Sequence, residues 1–132
     1  MKSAIEAILK AHNVLSLFQT TVDYTVKIEN EPFMALCIEK HGCMVSVTHY
    51  YEVNGDLVPD PDMEFEVKGD GTWMPVAIQQ GDHYRRAVEI QNGRRLVNLA
   101  QFSSQKAFSN LWARNLIAQG FSKGKLVRAE AC

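Results

Sequence analysis

The run "THYYEVNGDLVPDPDMEFEV", residues 48 to 67, holds the side chains with the most chemistry to offer. Glu52, Asp56, Asp60, Asp62, Glu64 and Glu66 are hard oxygen donors, and His49 adds a nitrogen; together these are the ingredients of a divalent-cation site. Their spacing is not that of an EF-hand loop, and no H-x-x-x-H or C-x-x-C accompanies them. Asp and Asn at such tips ordinarily close Asx-turns onto the backbone, which needs no ion. A nuclease is the other use. Asp56 followed ten residues later by Glu66-Val67-Lys68 imitates the Asp…Glu-x-Lys arrangement in which two carboxylates hold Mg²⁺ and a lysine steers the attacking water. The imitation is incomplete, because Asp56 falls in a flexible turn and not on a strand end, and Pro61-Asp62 precedes the Glu-x-Lys too closely. No G-x-S-x-G presents a serine nucleophile, no cysteine sits in a recognisable motif, and neither phosphate-cradling glycine pattern occurs. The residues therefore predict no catalytic set, no metal and no cofactor, which leaves binding.

Binding has two candidate surfaces, and they differ in sign. The net charge is only −1, yet Glu52 to Asp70 carries seven acids against Lys68, a balance of −6. From His83 to Arg128 nine bases face Glu89 alone, a balance of +8. Such asymmetry speaks about partners and not about fold. The acidic hairpin (Glu52, Asp56, Asp60, Asp62, Glu64, Glu66) has the charge to imitate the phosphate rows of DNA and occupy the cationic groove of a nuclease or CRISPR effector. The basic half offers Arg85, Arg86, Arg94, Arg95 and Arg114 to phosphates, with Trp73, Tyr84 and Phe102 available for base stacking. Two solvated faces that partly neutralise one another are the plain alternative.

The elements that must position these groups follow from periodicity. With 132 residues and 46% hydrophobic content, the chain predicts one domain, residues 1 to 132, with a core that needs no staples. No apolar run approaches the roughly 20 residues that span a bilayer, and Met1 to Lys10 has no signal-peptide core, so a soluble cytoplasmic protein without a membrane partner is expected. Cys37, Cys43 and Cys132 are odd in number and suggest reduced thiols. Ser3 and Glu6 make a capping box before Ile5, Ile8, Leu9, His12 and Leu15, which predicts a helix over residues 3 to 16 with His12 at the core edge. Val22, Tyr24, Val26 and Ile28 then alternate as a strand, Glu29 to Pro32 turns, and the denser Phe33 to Glu39 run reads as a more central strand ended by His41-Gly42.

Val45, Val47, His49, Tyr51 and Val53 share one face of the next strand; Met63, Phe65 and Val67 oppose the acids of its partner, with an eight-residue tip, Asn54 to Pro61, between them. Gly69-Asp70-Gly71 is a tight turn into Trp73 to Gln79, where Pro75 marks an edge or a bulge. Residues 81 to 102 read as a hairpin around Asn92-Gly93, with a strand followed by a helix as the alternative. A helix capped by Ser103 or Ser104 follows, with the stripe Phe108, Leu111, Trp112 and Leu116, a left-handed Gly120 and Phe121 folding back onto Leu116. The basic tail after Ser122 reads as frayed. The sum is an α+β fold: an antiparallel β-meander of about five strands with N- and C-terminal helices packed on one face.

The runs "HYYEVNGDLVPDPDMEFEV" at 49 to 67, "WMPVAIQQ" at 73 to 80 and "LWARNLIAQGF" at 111 to 121 resemble an uncharacterised family of small bacterial proteins borne on plasmids, integrative elements and phages. The resemblance implies no activity. It implies a mobile-element context, hence host-defence evasion, conjugation or replication accessories, and a recurring hairpin at Asn54, Gly55, Asp56, Asp60 and Pro61. The expected function is a non-enzymatic interaction protein that inhibits or modulates a host nucleoprotein defence system. Its partner would be a host or element-encoded protein; a nucleic-acid-binding accessory or a metal-dependent nuclease are the alternatives.

Overall fold

The computed structural model describes residues 1–131; Cys132 lies outside them. The elements run α1 (Lys2–Ala11), α2 (Leu15–Thr20), β1 (Asp23–Asn30), β2 (Phe33–His41), β3 (Met44–Val53), β4 (Asp56–Val67), β5 (Trp73–Gln80), β6 (His83–Arg86), β7 (Val88–Gln91), β8 (Arg94–Val97), α3 (Leu99–Ala118), a 3₁₀ turn at Phe121–Lys123, and β9 (Lys125–Ala131). Seven strands form one antiparallel sheet in the order β6-β5-β4-β3-β2-β1-β9, and β7 with β8 makes a separate ribbon. The α+β class holds, with more strands than the five expected. None of the helices among the described residues is long and apolar enough to cross a membrane.

Alternation explains why the helices lie where they do. Tyr24, Val26 and Ile28, then Leu36 and Ile38, Val45 and Val47, Met63 and Phe65 all point to one side of the sheet and are buried against Ile5, Ile8 and Leu9 of α1, Trp112 and Leu116 of α3, and Phe121. Each fully buried Ile, Leu or Phe of this kind contributes about 1.5–3 kcal/mol relative to exposure. The Phe33 to Glu39 run is therefore one-sided, since Leu36 and Ile38 are buried while Phe33 and Met34 are exposed.

Several boundaries differ from the sequence reading. The first helix starts at Lys2 with Met1 as N-cap and no side-chain cap, so Ser3 and Glu6 form no capping box; Glu6 instead accepts a hydrogen bond from Gln19. The helix stops at His12, where Asn13 turns to positive φ and α2 sets off separately, because Val14 and Phe18 must reach the core. His12 sits at the core edge with Nε2 2.8 Å from the Phe121 carbonyl. The eight-residue tip contracts to a two-residue turn: Asn54 and Gly55 both take positive φ, and Val53 pairs with Asp56. Residues 56 to 61 belong to β4. The last helix begins at Leu99, capped by the Asn98 side chain accepting from the Gln101 N–H at 3.0 Å, so Ser103 and Ser104 lie inside it. Its buried face is Gln105, Ser109, Trp112, Ala113 and Leu116, and Leu111 is exposed. Gly120 is left-handed as expected.

The largest correction concerns the C-terminal tail. It is not frayed: β9 pairs antiparallel with β1 from Tyr24↔Ala131 to Glu29↔Lys125 and forms one edge of the sheet. Gly124 makes the entry into that strand possible. A Cβ there would lie 2.7 Å from the Glu29 carbonyl oxygen and 2.9 Å from Ile28 Cγ2. Its φ of −69° suits any residue, so the demand is for space alone. Gly124→Ala is therefore expected to destabilise by about 1–3 kcal/mol through overpacking, read as a lower urea midpoint with unchanged slope. An unchanged midpoint would mean that β9 does not dock as described.

Candidate binding surface on the open face of the sheet

With the helices on one side, no helix among the described residues covers the other face of the seven-stranded sheet, and only the β7–β8 ribbon reaches it, through Arg95 on Glu66 and Met74. Register assigns its side chains. Thr25, Glu39, Ser46, Glu64, Ala77 and Arg86 form one row across β1 to β6, and Lys27, Cys37, Thr48, Asp62, Gln79 and Tyr84 form the next. The expected acidic face of β4 is real: Asp62, Glu64 and Glu66 alternate with buried Met63 and Phe65 and stand about 7 Å apart along the strand. Glu39 joins them two strands away. Sequence reasoning missed Glu39, Thr48 and Tyr50. Glu39 was hidden because the dense apolar run Phe33 to Glu39 read as a more central strand, although its parity with Cys37 was available.

The six acids of the hairpin do not act as one group. A bulge in β4 sets Asp60 and Pro61 against His49 alone, between the Thr48↔Asp62 and Tyr50↔Pro59 pairs. Beyond it the parity of β4 reverses, so Asp56 pairs with Val53 on the helix side while Glu52 lies on the open side. Asp56 and Glu66 sit near opposite ends of a long strand, roughly 30 Å apart at strand rise. They cannot share a metal ion, which removes the Asp…Glu-x-Lys arrangement. His49 is buried on the helix side, where Trp112 and Phe121 hold its ring at 5.3 and 5.7 Å and its Nδ1 lies 3.0 Å from the Ala35 carbonyl. The carboxylates of Asp62 and Glu64 are on the other face, and no group of three metal-binding side chains forms among the described residues.

The electrostatics of the open face centre on Asp62. Burial raises its carboxyl above the ordinary range, Thr48 Oγ1 partly offsets this by donating to Oδ1 at 2.9 Å, and the negative charges of Glu64 and Glu39 raise it further. Tyr50 is raised by burial and by the negative charges of Asp62 and Glu39. Cys37, raised chiefly by burial, lies between Lys27 and Glu39. Glu66 is different. Arg95 grips it with two hydrogen bonds of 2.6 and 3.2 Å and, with Lys68, lowers its carboxyl. The acidic and basic halves of the chain meet at this pair.

The basic residues are dispersed. Arg86 is on the open face, donating to the Tyr84 hydroxyl and the Val88 carbonyl, while Arg85 pairs across from Ile78 on the other side. Arg94 sits at the tip of the β7–β8 ribbon, Arg95 is held by Glu66, and Arg114 lies on α3 beside the groove with α1. Trp73 packs on Phe65 at 5.7 Å, on the helix side. No single surface collects the arginines with Trp73, so the stacking arrangement expected of the basic half is not assembled.

The sequence profile described as Domain of unknown function (DUF6908) matches residues 3–122, and the chain belongs to that family. No curated protein and no solved structure matches it significantly.

Two pH dependences follow from these surroundings. The folded chain holds the Asp62 proton more tightly than the unfolded chain, so the associated stability is present below the ordinary value of 3.8 and is lost as the pH rises through the raised one. Asp62→Asn keeps an acceptor for Thr48 and is expected to raise the Tm at neutral pH but not below pH 3.8. His49 runs the opposite way: burial lowers its pKa, so stability present above 6.5 is lost on acidification, and His49→Leu should flatten that limb. Thermal melts across pH check both; a wild-type melt insensitive to pH on either side of 6.5 would contradict the His49 assignment.

Proposed function

We propose that this member of an uncharacterised family is a non-enzymatic interaction protein that receives a cationic protein surface on the open face of its sheet. The observation that carries the reading is the like-charge cluster of Glu39, Asp62 and Glu64, in which burial and neighbouring carboxylates raise the Asp62 carboxyl. Like charges placed together on a half-buried surface cost stability, and such a cost is typical of surfaces kept for a partner. Lysines or arginines of a partner would relieve it. The surroundings of this surface fit the same use, since Tyr50 and Tyr84 add aromatic area around the acids.

The resemblance to proteins of mobile elements supports a narrower form, in which the partner is a host nucleoprotein defence machine and the carboxylate row of β4 takes the place of phosphates in its cationic groove. The dispersal of Arg85, Arg94, Arg95 and Arg114 weighs against direct nucleic-acid binding. A pull-down from host lysate compares the wild type with Glu39→Gln/Asp62→Asn/Glu64→Gln. Partners are expected to be retained by the wild type and lost from the triple variant, whose folding a thermal melt verifies. Equal recovery by both would end this reading. A salt-sensitive gel shift with single- or double-stranded probes would favour the basic half instead.

A further inference from the structure

A second site lies at the end of the sheet where β4 turns into β5 against α3, apart from the Glu39, Asp62 and Glu64 cluster. Between the start of β5, the β4–β5 turn and α3 there is a cavity of about 320 Å³, toward the small end of the range for small-molecule sites. Its construction follows from one irregularity. The β4–β5 register shifts between Glu64↔Ala77 and Phe65↔Pro75, so Val76 is the extra residue of a bulge. Past it, Trp73 and Pro75 share the helix side with Val67 and Phe65. Phe102, Lys106, Ser109 and Asn110, at positions i, i+4, i+7 and i+8 of α3, share one face and close the opposite wall.

The floor is apolar and the rim is cationic. Phe65, Trp73, Pro75 and Phe102 supply flat carbon surface, while Lys68 and Lys106 are the exposed lysines of the lining. Lys106 is exposed and has no ion-pair partner among the described residues. Lys68 is 3.8 Å from Glu66, whose oxygens are already taken by Arg95. Asp70 is the one acid in the lining; its Oδ1 accepts the Thr72 N–H at 2.9 Å, and Lys2 adds positive charge beside it. Two lysines against one internally bonded carboxylate leave a net positive mouth over an aromatic floor.

We propose that this cavity binds an aromatic carboxylate, its ring against Trp73 and Phe102 and its carboxylate between Lys68 and Lys106. The test is a ¹H–¹⁵N titration of the full chain with naphthalene-2-carboxylate. Saturable shifts are expected at the Trp73 indole N–H, Thr72 and Asn110. Affinity should fall about tenfold for Lys106→Gln, for Lys68→Gln and for the uncharged naphthalene-2-methanol, the loss of one charge-assisted contact. Both lysines are at the surface, so neither variant threatens the fold. A tripeptide ending in phenylalanine carries the same ring and carboxylate on a chain; the tighter of the two ligands identifies whether the natural source is a free acid or a chain terminus. Absent shifts, shifts confined to the open face, or equal affinity for acid and alcohol would overturn the proposal.

Discussion

The two-residue period of an antiparallel sheet covered on one side is the constraint on which the rest of this molecule depends. Every strand from β1 to β5 must present its apolar parity to α1, α3 and Phe121, because no helix among the described residues covers the other face. Whatever chemistry the strands carry is thereby sorted. His49 goes inward and becomes a packed side chain, and Asp62 and Glu64 go outward, although they belong to one hairpin.

Where that period is broken, something is built. The bulge at Asp60-Pro61 reverses the parity of the distal half of β4 and separates Asp56 from the acids that follow it. The bulge at Val76 turns Trp73 and Pro75 toward α3 and opens the lysine-rimmed cavity. The Val76 carbonyl also accepts the Ala87 N–H at 2.8 Å, and the Ala87 carbonyl accepts the Asn98 N–H at 2.8 Å, which anchors the base of the β7–β8 ribbon. A two-stranded ribbon is marginal alone; this one is tied at its base by those bonds and along its length by Arg95 on Glu66.

Much of this was legible in the chain. The alternation of Tyr24 to Ile28, Val45 to His49 and Met63 to Val67 located three strands and their buried faces, although Val22 falls before β1 and is exposed, and Asn92-Gly93 located the ribbon turn. Legibility failed where a local signal competed with a long-range one. Ser3-x-x-Glu6 is a good capping box that the structure does not use, and Ser103-Ser104 is overridden by Asn98. Two prolines suggested a long loop, yet Pro59 and Pro61 lie within β4, where the bulge accommodates them. The tail after Ser122 has the composition of a frayed end, but the unpaired edge of β1 recruits it.

The sequence by itself determined the α+β class, the acidic face of β4, the inward direction of His49 and the absence of a recognised catalytic motif, because these depend on residue type and a period of two. Only the tertiary structure decided that Glu39 shares a face with Asp62 and Glu64, that Glu66 belongs to Arg95, that the arginines do not share a surface, and that Lys68 and Lys106 line one cavity with Trp73 and Phe102. Those facts join residues from different strands and helices. Strand order, bulge position and helix docking set them, and these come from packing across the whole sheet, which no local window contains.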